Sequence, residues 1–275
     1  MPNFLELLQY SFFTRAILVG GVFSLVCGIL GVFVVLRKES LIGHTIANVS
    51  FLGVVLGLLL GFPVTLTAII LSVFAAVLII VLQKTSSTSR DSVLALLDQG
   101  ALAGAIVLIT SLAGYRTDLM QYLFGDILAI APSDIGITLG LSVVVFVLFL
   151  LFSKKILQIT FSPELALAAG TKAIWYESLL MVLISVVIAL GIKVIGVILL
   201  ASFLVIPANV AKLIARTSKE MIILSGLVGV FATVIGLFCS YIFDTPSGAT
   251  IILVLVSGYV AVSVGKALYT QIFLR

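Results

Sequence analysis

The chain has 275 residues, 62% of them hydrophobic and only 9% charged, with a formal net charge of +4. Mean hydropathy is +1.39 and the isoelectric point is about 9.1. Soluble domains carry about a quarter charged residues, so this composition excludes one and predicts an all-α, polytopic transmembrane bundle forming a single domain, residues 1–275. The basic balance does not call for nucleic acid, because Lys and Arg sit in short loops between apolar runs, where membrane topology accounts for them.

A span needs about 20 apolar residues. The first run ends at Arg37-Lys38 and is long enough to cross, so it reads as a retained span and not a cleaved leader. In chain order the predicted spans are Phe12–Leu36, Leu41–Leu60, Val64–Leu82, Val93–Ala113, Ser133–Phe152, Ile174–Leu190, Val194–Ala215, Met221–Phe243 and Ala249–Leu268. Gly61-Phe62-Pro63 leaves almost no loop between the second and third, so eight spans is the alternative to nine. The second span carries Gly43, His44, Thr45, Asn48 and Ser50 and is expected to be broken or partly lumen-lining. Tyr115–Pro132 holds an apolar stretch too short to cross and interrupted by Gly125-Asp126, which suits a re-entrant or interfacial segment on the outer side.

Between the fifth and sixth spans lies a polar island, Ser153–Lys172. Within it Ser162 can cap a helix, Pro163 fits the first position, Glu164 suits the positive N-terminal end and Gly170 can close it. A helix of about two turns is marginal alone in water. It reads either as a handle for a soluble partner or as a plain connector. With this island in the cytoplasm, Arg37, Lys38, Lys84, Arg90, Lys154, Lys155, Lys172, Lys212, Arg216, Lys219, Lys266 and Arg275 all fall inside, against Arg15, Arg116 and Lys193 outside. That bias places the C-terminus in the cytoplasm, and with nine spans the N-terminus outside.

Ionisable groups within spans are costly and so are functional candidates. His44 precedes Asn48 by four residues, which puts both side chains on one helix face. Imidazole suits zinc, copper, nickel or iron, and an amide carbonyl is a weak, hard ligand. The alternative is a polar pair making interhelical hydrogen bonds. Asp98-Gln99 in the fourth span reads as a transient cation contact or as a carboxylate snorkelling near the interface. Lys193 reads as a snorkelling residue, and Asn209, after Pro207, as a gate or a packing contact. Cys27 and Cys239 lie in apolar runs and read as buried small hydrophobes. No GxxxxGK[ST] is present, so any ATP-driven transport needs the P-loop of another polypeptide. No catalytic constellation appears either, and an enzyme is not expected.

Five blocks together resemble the membrane permease subunit of the zinc/manganese class of bacterial ABC importers. They are GVFVVLRKESLIGHTIANVSFLGVVLG (31–57), DLMQYLFGDILAIAPSD (118–134), FSPELALAAG (161–170), KVIGVILLASFLVIPANVAKLIAR (193–216) and DTPSG (244–248). The resemblance implies a permease in the cytoplasmic membrane, paired with itself or with a related copy. It also implies cytoplasmic ATPase subunits that consume ATP and an extracytoplasmic metal-binding protein that delivers zinc, or second manganese. Phe161, Ser162, Pro163, Glu164, Leu165, Ala168 and Gly170 would then be the ATPase-coupling residues. The family pattern Gly-Asp-x-x-x-His is replaced here by a set with His44 and Asn48, and Gln99 stands beside Asp98 where zinc-importing members often carry His. These four would be transient metal contacts, unless the ion preference differs or metal binding is weakened. The rivals are an ion-coupled secondary transporter, a permease of the same fold for another substrate, and a membrane anchor or assembly factor.

Overall fold

The structure, a computed structural model, describes residues 9–85, 88–110, 125, 127, 132–161 and 173–273. Among them nine helices are long and apolar enough to span a membrane. They are α1 (Ser11–Leu36), α2 (Ile42–Leu60), α3 (Val64–Thr85), α4 (Arg90–Thr110), α5 (Pro132–Phe161), α6 (Ala173–Ile195), α7 (Val197–Ile214), α8 (Ser218–Phe243) and α9 (Ser247–Phe273).

Nine is the count because Gly61 adopts φ +71° and closes α2, with the Phe62 N–H donating to the Gly57 carbonyl at 3.0 Å. Only a residue free of Cβ takes that left-handed position readily, and Pro63 then opens α3 within two residues. The second span is unbroken over Ile42–Leu60, contrary to the expectation of a break. Its polar residues do not interrupt the ladder, because Thr45 Oγ1 reaches the carbonyls of Leu41 (3.0 Å) and Leu94 (3.1 Å) while the helix continues.

The fifth span also differs. It continues through Ser153 to Phe161, so the polar island begins as helix. Ile156 and Ile159 face the core while Lys154 and Lys155 are exposed, and the Lys155 ammonium lies 5.4 Å from the Tyr176 ring centroid. These last turns are amphipathic, not loop-like. At 30 residues, or about 45 Å, α5 exceeds the ~30 Å hydrocarbon layer and projects beyond it. Ser162–Gly170 lie outside the described residues.

The core is built on α1, α2, α6 and α7, with α4, α5 and α9 the most exposed. Lipid supplies no hydrophobic drive between helices, so close packing of small residues takes over. At the α1–α8 crossing a Cβ on Gly28 would stand 2.9 Å from the Ser225 carbonyl oxygen, and one on Gly229 would stand 2.8 Å from that of Ser24. The Ser225 hydroxyl donates to the Gly28 carbonyl at 2.6 Å across the same seam. A single residue, Gly196 (φ 87°, ψ 157°), joins α6 to α7. Gly125 packs its backbone against the Ile195 carbonyl beside that turn, and Ile127 is fully buried, so this part of the LFGDIL block is seated inside the bundle. The rest of Tyr115–Pro132 lies outside the described residues, apart from Pro132 itself. Cys27 is buried and Cys239 half-buried.

Candidate functional site

The N-terminal halves of α2 and α4 run side by side from the same end of the bundle. Their seam is marked by two hydrogen bonds in ascending register, Thr45 to the Leu94 carbonyl and Asn48 to Asp98. His44, Asn48, Asp98 and Gln99 are brought together at this seam.

Asn48 Nδ2 donates to Asp98 Oδ1 at 2.7 Å and also lies 3.2 Å from His44 Nδ1. The Asn48 amide nitrogen is a donor, so it can reach the His44 ring nitrogen as well as the carboxylate. His44 Nδ1 is 3.5 Å from the same Asp98 oxygen, and Gln99 Nε2 donates to Asp98 Oδ2 at 3.2 Å. Asn48 and Asp98 are buried, whereas His44 and Gln99 are exposed. The cluster is therefore a carboxylate held from beneath by an amide and open toward an imidazole. Asp98 does not snorkel to water; it has partners. The interhelical hydrogen bond expected of a polar pair is present, made by Asn48 and not by His44. Among the described residues no group of three His, Cys, Asp or Glu is placed to hold a metal ion.

Asn209 lies elsewhere, on α7, where its Nδ2 donates to the Val205 carbonyl at 2.9 Å. Pro207 lacks an N–H, and this side-chain bond stays within the helix. Asn209 lines a small cavity of about 220 Å³ with Val205, Ile206, Val256 and Tyr259, apart from the α2–α4 seam. Phe161, the first coupling candidate, ends α5 and is exposed; the other six lie outside the described residues.

A second feature escaped the sequence. Glu39, only 3% exposed, sits in the short connection between α1 and α2. Its Oε1 receives Arg90 Nη1 at 3.0 Å, and its Oε2 lies 3.6 Å from Arg37 Nε. Arg37 Nη2 in turn reaches Glu177 Oε1 on α6 at 2.7 Å. The available signal was an acid standing alone inside the basic loop Arg37-Lys38-Glu39.

Nine apolar helices among the described residues, with a polar seam between α2 and α4, mark a multi-pass membrane protein. The chain belongs to the ABC 3 transport family, whose model matches residues 9–266. It is 33% identical over 249 residues to the manganese transport system membrane protein MntC of Halalkalibacterium halodurans, covering 90% of this chain and 85% of that one. It is 34% identical over 239 residues to the high-affinity zinc uptake system membrane protein ZnuB of Haemophilus influenzae, covering 86% and 91%. Among solved structures, PsaBC from Streptococcus pneumoniae in complex with Fab matches with a TM-score of 0.85 and 34% identity, over 94% of each chain. The blocks that resembled a permease of this class are thereby accounted for. The D-x-PSG block is a turn: Asp244, at φ +50°, closes α8, and Thr245 N–H and the Ser240 hydroxyl tie it off before α9.

Proposed function

We propose that this chain is the permease of a binding-protein-dependent ABC importer that moves a divalent transition-metal ion, zinc or manganese, past the His44–Asn48–Asp98–Gln99 cluster. One observation carries this: a buried carboxylate within a spanning helix, with an imidazole at 3.5 Å and an exposed approach. A path must bind its ion weakly enough to release it, and an open carboxylate–imidazole pair suits that better than a closed cage. Imidazole favours zinc, which ranks it first by sequence; the carboxylate and amide oxygens serve manganese equally well. Several relatives named for manganese and one named for zinc, at near-equal identity, support the pair and give zinc no precedence.

The Asn48 N–H group stands between the carboxylate and the imidazole, in the place that a cation would take. Admission of the ion requires that amide to turn its carbonyl oxygen inward, giving Asp98 and Asn48 oxygens and the His44 nitrogen as contacts. The exposed His44 and Gln99 on a spanning face would be costly against lipid. A second copy packed on this face, with a wet path between, removes that cost and supports a homodimer.

ATPase subunits would grip Phe161 and Ser162–Gly170 from the cytoplasm, and an extracytoplasmic metal-binding protein would load the other face. The C-terminus is then cytoplasmic and the N-terminus outside. Uptake of radiolabelled zinc and manganese in metal-starved cells, with and without this chain, tests the function. Loss of either uptake supports it, and no change for both, in cells lacking another importer, overturns it. Glu164→Arg or deletion of Leu165–Ala169 should abolish uptake while the chain stays in the membrane.

A further inference from the structure

We propose that Glu39 is a positioning residue that ties the two cargo-facing helices to α6, so that movement of the α6 end is delivered to Asp98 and His44. The proposal rests on the transport function above and adds the link by which the coupling segment reaches the cargo site.

Three helix ends meet at Glu39, and a fourth, that of α6, is reached through Arg37. The Glu39 N–H donates to the Val34 carbonyl at 3.0 Å and its carbonyl receives the Ile42 N–H at 3.0 Å, which joins the end of α1 to the first turn of α2. Its side chain takes Arg90 at the start of α4, and Arg37 extends the chain to Glu177 on α6. Arg37 and Glu39 side chains, at the centre of the chain, are only 11% and 4% exposed, whereas Glu177 and Arg90 at its two ends are 26% and 62% exposed. At the centre the charges cannot be separated cheaply, because a stranded ion lacks the water that would replace its partner. The linkage is therefore stiff at its buried centre and weaker toward Arg90 at the surface.

Position gives that stiffness a use. His44 lies five residues beyond Glu39, and Asp98 lies eight residues beyond Arg90, or about 12 Å along the helix. Glu177 lies in the second turn of α6, which begins three residues after Gly170, the last coupling candidate. Along their lengths α4 packs on α2 and, less extensively, on α3, while α6 packs chiefly on α3, α5 and α2. The ion-pair chain thus joins α6 to α4 where helix packing joins them little. A push on α6 that left this chain intact would carry the N-terminal ends of α2 and α4 with it and move the Asn48–Asp98 pair as a unit relative to the rest of the bundle.

The test compares ions moved with ATP hydrolysed. The full chain is reconstituted in proteoliposomes with its ATPase and metal-binding partners, using radiolabelled manganese and zinc as probes. Glu39→Gln should keep ATP hydrolysis within about twofold and lower the ions moved per ATP by tenfold or more. Glu39→Asp, which restores the charge, should recover much of the ratio. A merely structural role would lower the amount of assembled complex and both rates together, leaving the ratio unchanged; that result overturns the proposal. Should Glu39→Gln fail to fold, Glu177→Gln, whose side chain is 26% exposed, breaks the α6 arm alone and should give the same loss. Wild-type vesicles that move neither ion would bring down the transport function itself, and with it this link; wild-type transport with unchanged variant ratios sinks only the link.

Discussion

Asn48 Nδ2 stands 2.7 Å from Asp98 Oδ1, so an uncharged amide of α2 holds the buried carboxylate of α4. Asp98 also accepts from Gln99 at 3.2 Å and has His44 Nδ1 at 3.5 Å. Removing the amide with Asn48→Leu strips the deeper oxygen of its donor, at a cost of about 1–3 kcal/mol. A lowered thermal midpoint in detergent, together with at least tenfold slower uptake, is the expected result. An Asn48→Leu chain as stable and as active as wild type would mean the bond neither holds the seam nor serves the path.

Asp98→Asn separates charge from shape. The substituted amide still offers an oxygen to Asn48, so the α2–α4 seam should survive and the amount of chain in the membrane should stay near wild type. Uptake of both ions should fall by tenfold or more, because no carboxylate remains at the seam. Retained uptake would move the path away from this cluster.

Asn48→Asp brings a second carboxylate within hydrogen-bond range of Asp98. Like charges so close cannot both ionise without a cation or proton between them. Added manganese or zinc should raise the thermal midpoint of this variant more than that of wild type, while transport slows because the ion is held. Equal metal-induced shifts in the two proteins would count against the cluster as a cation site.

Gly196, at φ 87° and ψ 157°, occupies a region that residues with a Cβ scarcely enter. Gly196→Ala should cost on the order of 1–3 kcal/mol, read as a lower unfolding midpoint. No shift would show that the α6–α7 turn relaxes without strain.

At the α1–α8 crossing two substitutions should rank in order. Ser225→Ala removes one interhelical hydrogen bond, worth about 0.6 kcal/mol on average in membrane bundles. Gly28→Leu drives a side chain into the Ser225 backbone and should destabilise more, because neither backbone can yield. Thermal denaturation of both in the same detergent decides the order; a reversed ranking would mean the seam is not closely packed.

Much of this architecture was legible because the bilayer imposes a length that apolar runs must meet. Residues such as Gly61-Phe62-Pro63 also announce a helix end and the next helix start within one turn. Of the two expectations for α2, a break or a partly lumen-lining helix, the break is not found: Thr45 satisfies itself on carbonyls of its own and the neighbouring helix, so polarity did not interrupt the helix. The extension of α5 was missed because Lys154 and Lys155 mark the end of apolar composition, not the end of the helix. At the site, four-residue spacing correctly put His44 beside Asn48, but nothing local told that Asn48 would take Asp98, 50 positions away. The Glu39 chain was invisible for the same reason, since its partners lie on elements far apart in sequence.

That separation has a bearing on how the protein is made. Arg90 follows Glu39 by 51 positions, and Glu177 follows Arg37 by 140. During synthesis the early α1–α2 hairpin enters the membrane with Glu39 leaning on Arg37 alone, and the network closes only once α6 has emerged. A chain that ends before α6 lacks Glu177, so the arm that runs from Arg37 to α6 closes only when that helix has been made.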